Sequence, residues 1–414
     1  MNNEELKNKN PQIRFSGFDG EWEEKKLGKI CTFSKGHGYS KNDLTSEGTP
    51  VYLYGQMYTN YKTVLLQSDK FVRPQSGSVY STGKEVILPA SGETPEDIAR
   101  ATAVLAKGII LGGDINIVYP PKELKQEFLA LSISYENNKS KLAEQAQGAT
   151  ISHLHGSDIA KLSIAYPSAD EQTKIGNLFS QIDLLISSTQ KEHDKLVNLK
   201  KCMLQKMFPK KGSLVPEIRF KGFTGDWVET KFSNVGTVKS GYAFQSENFI
   251  NHGIPVIRIT NIQDGEVSFD EIVYHSEFDI DKDFIAERGD ILLAMSGATT
   301  GKIGVYEREE SSYINQRVGK FIFTDVTTFK PFYKSLFDTE FFMEQVIGSV
   351  ATGAQPNIGT KNVENMIFTI PIDKNEQQKI GSYFQNLDNL ISKQSQELEK
   401  LQNVKKTLLS KMFV

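Results

Sequence analysis

The chain spells nearly the same dozen residues twice, PQIRFSGFDGEW at 11–22 and PEIRFKGFTGDW at 216–227. A repeat is the strongest constraint a sequence can place on architecture, because it sets how many equivalent units the chain builds. Here the offset of 205 persists: Pro50-Val51 returns as Pro255-Val256, Ser91-Gly92 as Ser296-Gly297, Gly148-Ala149 as Gly353-Ala354, and Glu171-Gln172 as Glu376-Gln377. The phrase LQKMF at 204–208 comes back as LSKMF at 409–413. Collinear matches from residue 11 to residue 413 define a tandem duplication, and 414 residues leave each copy the size of an ordinary domain.

Each copy divides again. Short strand-like runs such as EVILPA and DINIVYP alternate with Gly-, Ser- and Asn-rich turns and one helical pattern, KELKQEFLALSISYENNKSKLAEQA. The second copy offers IPVIRITNI, GDILLAMSG and VGKFIFT, then the helical KPFYKSLFDTEFFMEQVIGS. Both read as α/β (mixed α+β) globular domains. They are followed by something different: after Gly176 no Gly or Pro occurs up to Phe208, and apolar residues recur at four- and three-residue steps. The first stripe is Ile175, Phe179, Ile182, Ile186, Leu196 and Met203, ending at Met207. The second is Ile380, Phe384, Leu387, Ile391, Leu398, Leu401 and Leu408. Such spacing is that of a coiled coil. Two like stripes in one chain are expected to pair, antiparallel under a pseudo-two-fold axis, which brings the polar seam residues Thr189 and Gln394 near each other; the alternatives are that each helix packs on its own domain or pairs in parallel with a second chain. The expected layout is domain 1 over 1–169, a long helix and linker over 170–215, domain 2 over 216–374, and a second long helix over 375–414.

Chemistry of its own is not evident. GATTGKIG at 297–304 is one residue short of a phosphate-binding loop and has Ile303 where a magnesium-binding hydroxyl belongs. YPPK at 119–122 does not complete a methyltransferase motif, and no dinucleotide fingerprint or zinc spacing occurs. His153 and His155 align with Ile358 and Thr360 at the 205 offset, which argues against a metal pair. The expectation is a non-catalytic protein without metal or cofactor. The polar start MNNEELKNKN, the lack of a long apolar run and only two cysteines, Cys31 and Cys202, lead to a cytoplasmic expectation. The formal charge of −3 is neutral on nucleic acid, since local basic surface matters more than the sum. Seven lysines between Lys191 and Lys211 against two acids make that helix end basic, as a solvated helix terminus or a phosphate contact would be.

The phrases IRFSGFDGEWEEKKLG and IRFKGFTGDWVETKF, with GDILLAMSGATTGKIG, YINQRVGKFIF and TGAQPNIGTKNVENMIFTIPIDKNEQQKI, resemble the specificity subunits of type I restriction-modification enzymes over the whole chain. The resemblance implies two target recognition domains, each reading half of a bipartite site in double-stranded DNA. It also implies that the helices form an antiparallel spacer, and that modification (methyltransferase) and restriction subunits dock on the chain. S-adenosylmethionine, ATP and magnesium would then belong to those partners.

Base reading needs Arg or Lys for guanine, Asn or Gln for adenine, and Asp or Glu for cytosine. Polar loops at equivalent places are the candidates. In the second domain these are Tyr242 and Gln245; Arg258, Thr260 and Asn261; Ser296, Thr299, Thr300 and Lys302; and Gln316 and Arg317. In the first they are Tyr39, Ser40 and Lys41; Gln56 and Tyr58; and Ser91, Glu93 and Thr94. At the common offset Gln56 faces Asn261 and Glu93 faces Ala298, so the loops differ where reading is expected. Arg14 and Arg219, inside the repeated phrase, are expected to be framework. SGETPEDIAR departs from SGATTGKIGV, which makes the first domain's contacts the less secure inference.

Overall fold

A computed structural model describes residues 10–59, 61–145, 152–263, 265–325, 327–350 and 356–414. The opening nine residues and the repeated Gly148-Ala149 and Gly353-Ala354 lie outside them. Two compact units emerge, Met1–Gln190 with Gln396–Val414, and Lys191–Ser395. Their boundaries fall inside the two long helices, Ala169–Met207 and Lys374–Met412, instead of at the helix starts near 170 and 375.

In the first unit a five-stranded sheet runs in the order Thr32–Lys35, Ile115–Tyr119, Glu85–Pro89, Thr102–Val104, Val64–Leu65. Its central strand, EVILP, is buried on both faces, as a continuous apolar run requires. A second sheet orders Leu44–Thr45, Phe71–Val72, Thr49–Tyr52, Lys107–Leu111 and Tyr80–Thr82, and Glu23–Lys26 pairs antiparallel with Ser163–Tyr166. The second unit repeats the plan. Five strands run Gly236–Ser240, Val318–Phe323, Ile291–Ala294, Ile303–Val305, Gly265–Glu266; four run Val273–His275, Ile254–Ile257, Ser312–Ile314, Ile285–Ala286; and Val228–Lys231 pairs with Ile367–Ile370.

The single helix expected over 122–146 is two, Gln126–Ser134 and Glu136–Gln145, because Tyr135 between them is extended and its ring stacks on Phe413. Likewise Lys330–Phe337 and Glu340–Ser349 are separate, the second capped by the Thr339 hydroxyl accepting from the Phe342 N–H.

The repeated phrases meet in the cores. In the first unit Trp22 packs edge-on against Phe413 and Phe128, and Phe179 joins them. In the second unit Trp227 packs edge-on against Phe208, which also contacts Phe332 and Phe384. Phe208 and Phe413 are the last residues of the repeated KMF, so each unit's core is completed by the end of a long helix. The contacts also set helix direction. In the first unit Phe179 meets Phe413 while Asp183 pairs with Lys405, and in the second Phe208 meets Phe384 while Lys200 pairs with Asp388, so rising numbers on one helix meet falling numbers on the other. The two helices pair antiparallel within each unit. Ile175, Phe179, Ile182, Ile380, Phe384 and Leu387 are buried; Ile186, Thr189, Leu196, Met203, Ile391, Gln394, Leu398, Leu401 and Leu408 are half-buried. Both thiols are free; Cys31 is buried, which pushes its pKa up to about 11.

The repeated arginines are indeed framework. Arg14 donates from Nε and Nη2 to the two oxygens of Glu171 at 2.7 and 2.8 Å and from Nη1 to the Gly20 carbonyl at 2.6 Å. Arg219 does the same to Glu376 at 2.7 and 2.8 Å and to Gly225 at 2.6 Å. In both copies the phrase therefore fastens the start of its domain to the first turn of its long helix.

In the second unit Lys334 and Lys200 share Asp338 and Asp388, with all four N–O distances between 2.6 and 2.8 Å. Burial by itself would push the Asp388 carboxyl up, but Lys334 and Lys200 hold it below the ordinary carboxylate range. A depressed carboxylate stabilises the fold above its unfolded pKa, and that stability drains away as pH falls through the lowered value. We expect the second unit to lose stability below about pH 4, and Asp388→Asn to flatten that acid limb in site-resolved hydrogen exchange. An unchanged acid limb in the variant would show that Asp388 does not carry it.

Candidate nucleic-acid interface

The strand ends of the second unit converge through backbone hydrogen bonds. Gly241 N–H donates to the Val318 carbonyl, Tyr242 to Ile314, Asn315 to Ile257, Met295 to Arg317, and Ile358 to Met295. The first unit repeats all five: Gly36 to Ile115, His37 to Leu111, Gly112 to Tyr52, Ala90 to Asp114, and Leu154 to Ala90. Both frames pack too closely for a side chain at their first position. A Cβ on Gly36 would sit 1.9 Å from the Gly112 carbonyl oxygen, and one on Gly241 would sit 2.0 Å from that of Ile314. One rigid cluster of loops is thus built twice.

The frame fixes which residues correspond. Ser91 and Ser296 keep the 205 offset, and each pairs with a short segment, Ser91 with His153 and Ser296 with Asn357. Elsewhere the copies differ in length. The turn Asn315-Gln316-Arg317 corresponds to Gly112-Gly113-Asp114, and His153 corresponds to Asn357, where the constant offset had paired it with Ile358. Tyr242 corresponds to His37. Sequence singles out neither His37, although it keeps the 205 offset from Tyr242, nor Asp114, whose equivalence to Arg317 is hidden by a two-residue slip and restored only by the hydrogen-bond frame.

Many of the sequence candidates serve the frame. Asn261 is buried; its Oδ1 accepts from the Arg258 N–H and its Nδ2 donates to the Asp270 carbonyl, so it is a turn cap and not a side chain aimed at a base. Gln56 does the same job, its Oε1 accepting from the Leu53 N–H at 2.9 Å, so the Gln56/Asn261 difference is one cap spelled two ways. Thr299 donates to the Ile259 carbonyl and Thr300 to Gly297 and Pro356. Thr94 and Ser40 cap short helical turns with their hydroxyls. The Tyr58 hydroxyl donates to the Ser91 carbonyl, and its pKa is raised by burial. Tyr39 bonds Ser78 and the Gln75 N–H. Arg258 donates to the Glu271 carbonyl, and Lys302 is half-buried and engaged.

What remains exposed, without a side-chain hydrogen bond or ion pair among the described residues, is Lys41 and Glu93 in the first unit, and Gln245, Thr260, Gln316 and Arg317 in the second. Tyr242 is exposed at 42 % and leans its ring on Phe244, Phe278 and Phe284. Such a surface can make hydrogen bonds and planar contacts. Among the described residues no group of His, Cys, Asp and Glu could hold a metal ion, and no helix is long and apolar enough to cross a membrane.

The architecture is a duplicated mixed α/β unit with long paired helices, each copy presenting a loop cluster whose exposed polar side chains differ between the copies. The family described as "Type I restriction modification DNA specificity domain" matches residues 19–198 and 224–403, and the chain belongs to it. It is 25% identical over 404 residues, 94% of this chain and 91% of the other, to the type I restriction enzyme MjaVIII specificity subunit of Methanocaldococcus jannaschii. In fold it is similar to the type I restriction-modification S subunit from M. genitalium, with TM-score 0.71, 16% identity and coverage of 98% and 99% of the two chains. A second solved chain, from a study of complex assembly and conformational transition in the type I R-M system, gives TM-score 0.51 at 16% identity over 95% and 97%. The protein is a type I specificity subunit, a recognition component without catalysis of its own.

Proposed function

We propose that each unit reads one half of an asymmetric bipartite site in double-stranded DNA through its loop cluster. The observation that carries this is the doubled hydrogen-bond frame: the same scaffold presents Asn-Gln-Arg at 315–317 in one copy and Gly-Gly-Asp at 112–114 in the other. A scaffold kept constant while its exposed side chains change is what two readers of different sequences need.

The long helices, 39 residues each and so about 58 Å long, would set the gap between half-sites. Half-sites one helical turn apart are separated by about 34 Å, within reach of such a ruler. Modification and restriction subunits would dock beside the helices, which carry exposed apolar side chains off the seam: Leu184, Leu185 and Val404 in the first unit, Val197, Leu199 and Leu390 in the second. S-adenosylmethionine, ATP and magnesium would be held by those partners, in the cytoplasm.

The test is modified-base mapping of DNA from cells expressing the chain with its modification subunit, joined to a salt titration of DNA binding by the purified complex. A new bipartite motif of fixed gap, with affinity falling about 10³-fold or more between 50 and 200 mM salt, is the expected result. Assembly without a motif, or binding indifferent to salt, would favour a protein-binding scaffold.

A further inference from the structure

We propose that Asp114 and Arg317, at the same point of the two frames, are specificity determinants of opposite kind: Arg317 selects a guanine in the half-site of the second unit, and Asp114 selects a cytosine in that of the first. The inference rests on the reading just given and names its residues.

Three observations carry it. The backbone of both residues is fixed, because the Arg317 carbonyl accepts from Met295 and the Asp114 carbonyl from Ala90. Both side chains are exposed and make no hydrogen bond or ion pair among the described residues, although the neighbouring candidates Thr299, Thr300, Arg258, Gln56 and Tyr58 are all engaged. Asp114 also holds φ at +55°, a left-handed turn that aspartate tolerates better than most side chains, directly after two glycines, so the turn presents a carboxylate at its tip.

The chemistry of the two ends then separates them. A guanidinium donates in bidentate fashion to guanine O6 and N7, and a carboxylate accepts from the cytosine N4 amino group. A carboxylate facing phosphate or guanine acceptors would be repelled, so Asp114 also acts against wrong sequences. Gln316 beside Arg317 offers an amide to the adjoining base, whereas Gly113 in the first unit offers none.

The test maps motifs for the full complex carrying the natural chain, Arg317→Ala, Arg317→Lys, Asp114→Ala or Asp114→Asn. The expected result for Arg317→Ala is loss of one G·C requirement in one half-site, with discrimination there falling about ten- to hundredfold and the other half unchanged. Asp114→Ala and Asp114→Asn should relax one C·G position in the opposite half. If Arg317→Ala abolishes methylation while melting normally, recovery of the same guanine by Arg317→Lys supports the assignment. The assignment is overturned if the variants keep the natural motif, if both relax the same half, or if they weaken binding to all sequences alike with a salt slope reduced by about one, the mark of a phosphate contact. A natural chain that yields a bipartite motif while the variants change nothing refutes only the residue assignment. One that assembles yet yields no motif refutes the reading beneath it as well.

Discussion

Phe413→Ala is expected to cost the first unit about 3–5 kcal/mol and to leave the second nearly untouched. Phe413 is 4 % exposed, and its ring lies 5.4 Å from Phe128, 5.7 Å from Tyr135, 6.1 Å from Phe179 and 6.3 Å from Trp22. Truncation therefore removes the centre of an aromatic cluster whose other members come from two separate helices, the extended Tyr135 and the repeated phrase. Those helices cannot collapse independently into the void, which places the cost toward the upper part of the range. Phe208→Ala should produce the mirror result, since Phe208 holds the same place against Trp227, Phe332 and Phe384 in the second unit. A chain of two units has no single unfolding free energy, so the readout is hydrogen exchange resolved by segment. Protection lost equally in both units, or lost by less than about 1 kcal/mol, would show that the helix ends are not the plugs of these cores.

That pairing of Phe with Trp was half legible beforehand. Repeats such as RFxGFxGxW and KMF mark residues that both copies need, and apolar spacing marks a long helix, because both signals are local to the sequence. What the repeats do for each other depends on contacts across about 390 residues, from Trp22 to Phe413, which no spacing rule supplies. The break at Tyr135 was invisible for a similar reason: nothing in SISYENN stops a helix, and a distant ring decides it. The loops were harder still. Asn261 and Gln56 have the composition of adenine readers and the position of turn caps, and a side-chain amide suits either task. Asp114 was missed because the copies slip by two residues between Ser296 and Asn315, so the constant offset that found the duplication misaligned the part where the copies diverge; His37 keeps that offset from Tyr242 and was passed over for its neighbours Tyr39, Ser40 and Lys41.

Arg14→Ala should cost about 3–5 kcal/mol and leave the DNA motif unchanged, and that combination separates framework from reading. The magnitude follows from burial. An exposed ion pair is worth about 0–1 kcal/mol, but the Glu171 side chain is 1 % exposed and Arg14 17 %, so removing the guanidinium strands a carboxylate away from water. Arg14 also closes the turn ahead of it, donating to the Gly20 and Asp19 carbonyls, and its loss releases the FDGEW segment that leads to Trp22. Removing both charges should hurt less than the sum of the single changes, because Glu171→Ala in the Arg14→Ala background eliminates the stranded charge. A double-mutant cycle on segment-resolved exchange measures that coupling. The motif is the second readout: Arg14 has a guanidinium as suited to guanine as that of Arg317, yet its donors are spent on Glu171 and on backbone. A base position that relaxes in Arg14→Ala, at temperatures where the variant is folded, would move this arginine from the frame to the reading surface. An unaltered motif from a less stable subunit would leave sequence reading to side chains whose donors and acceptors the fold has not used.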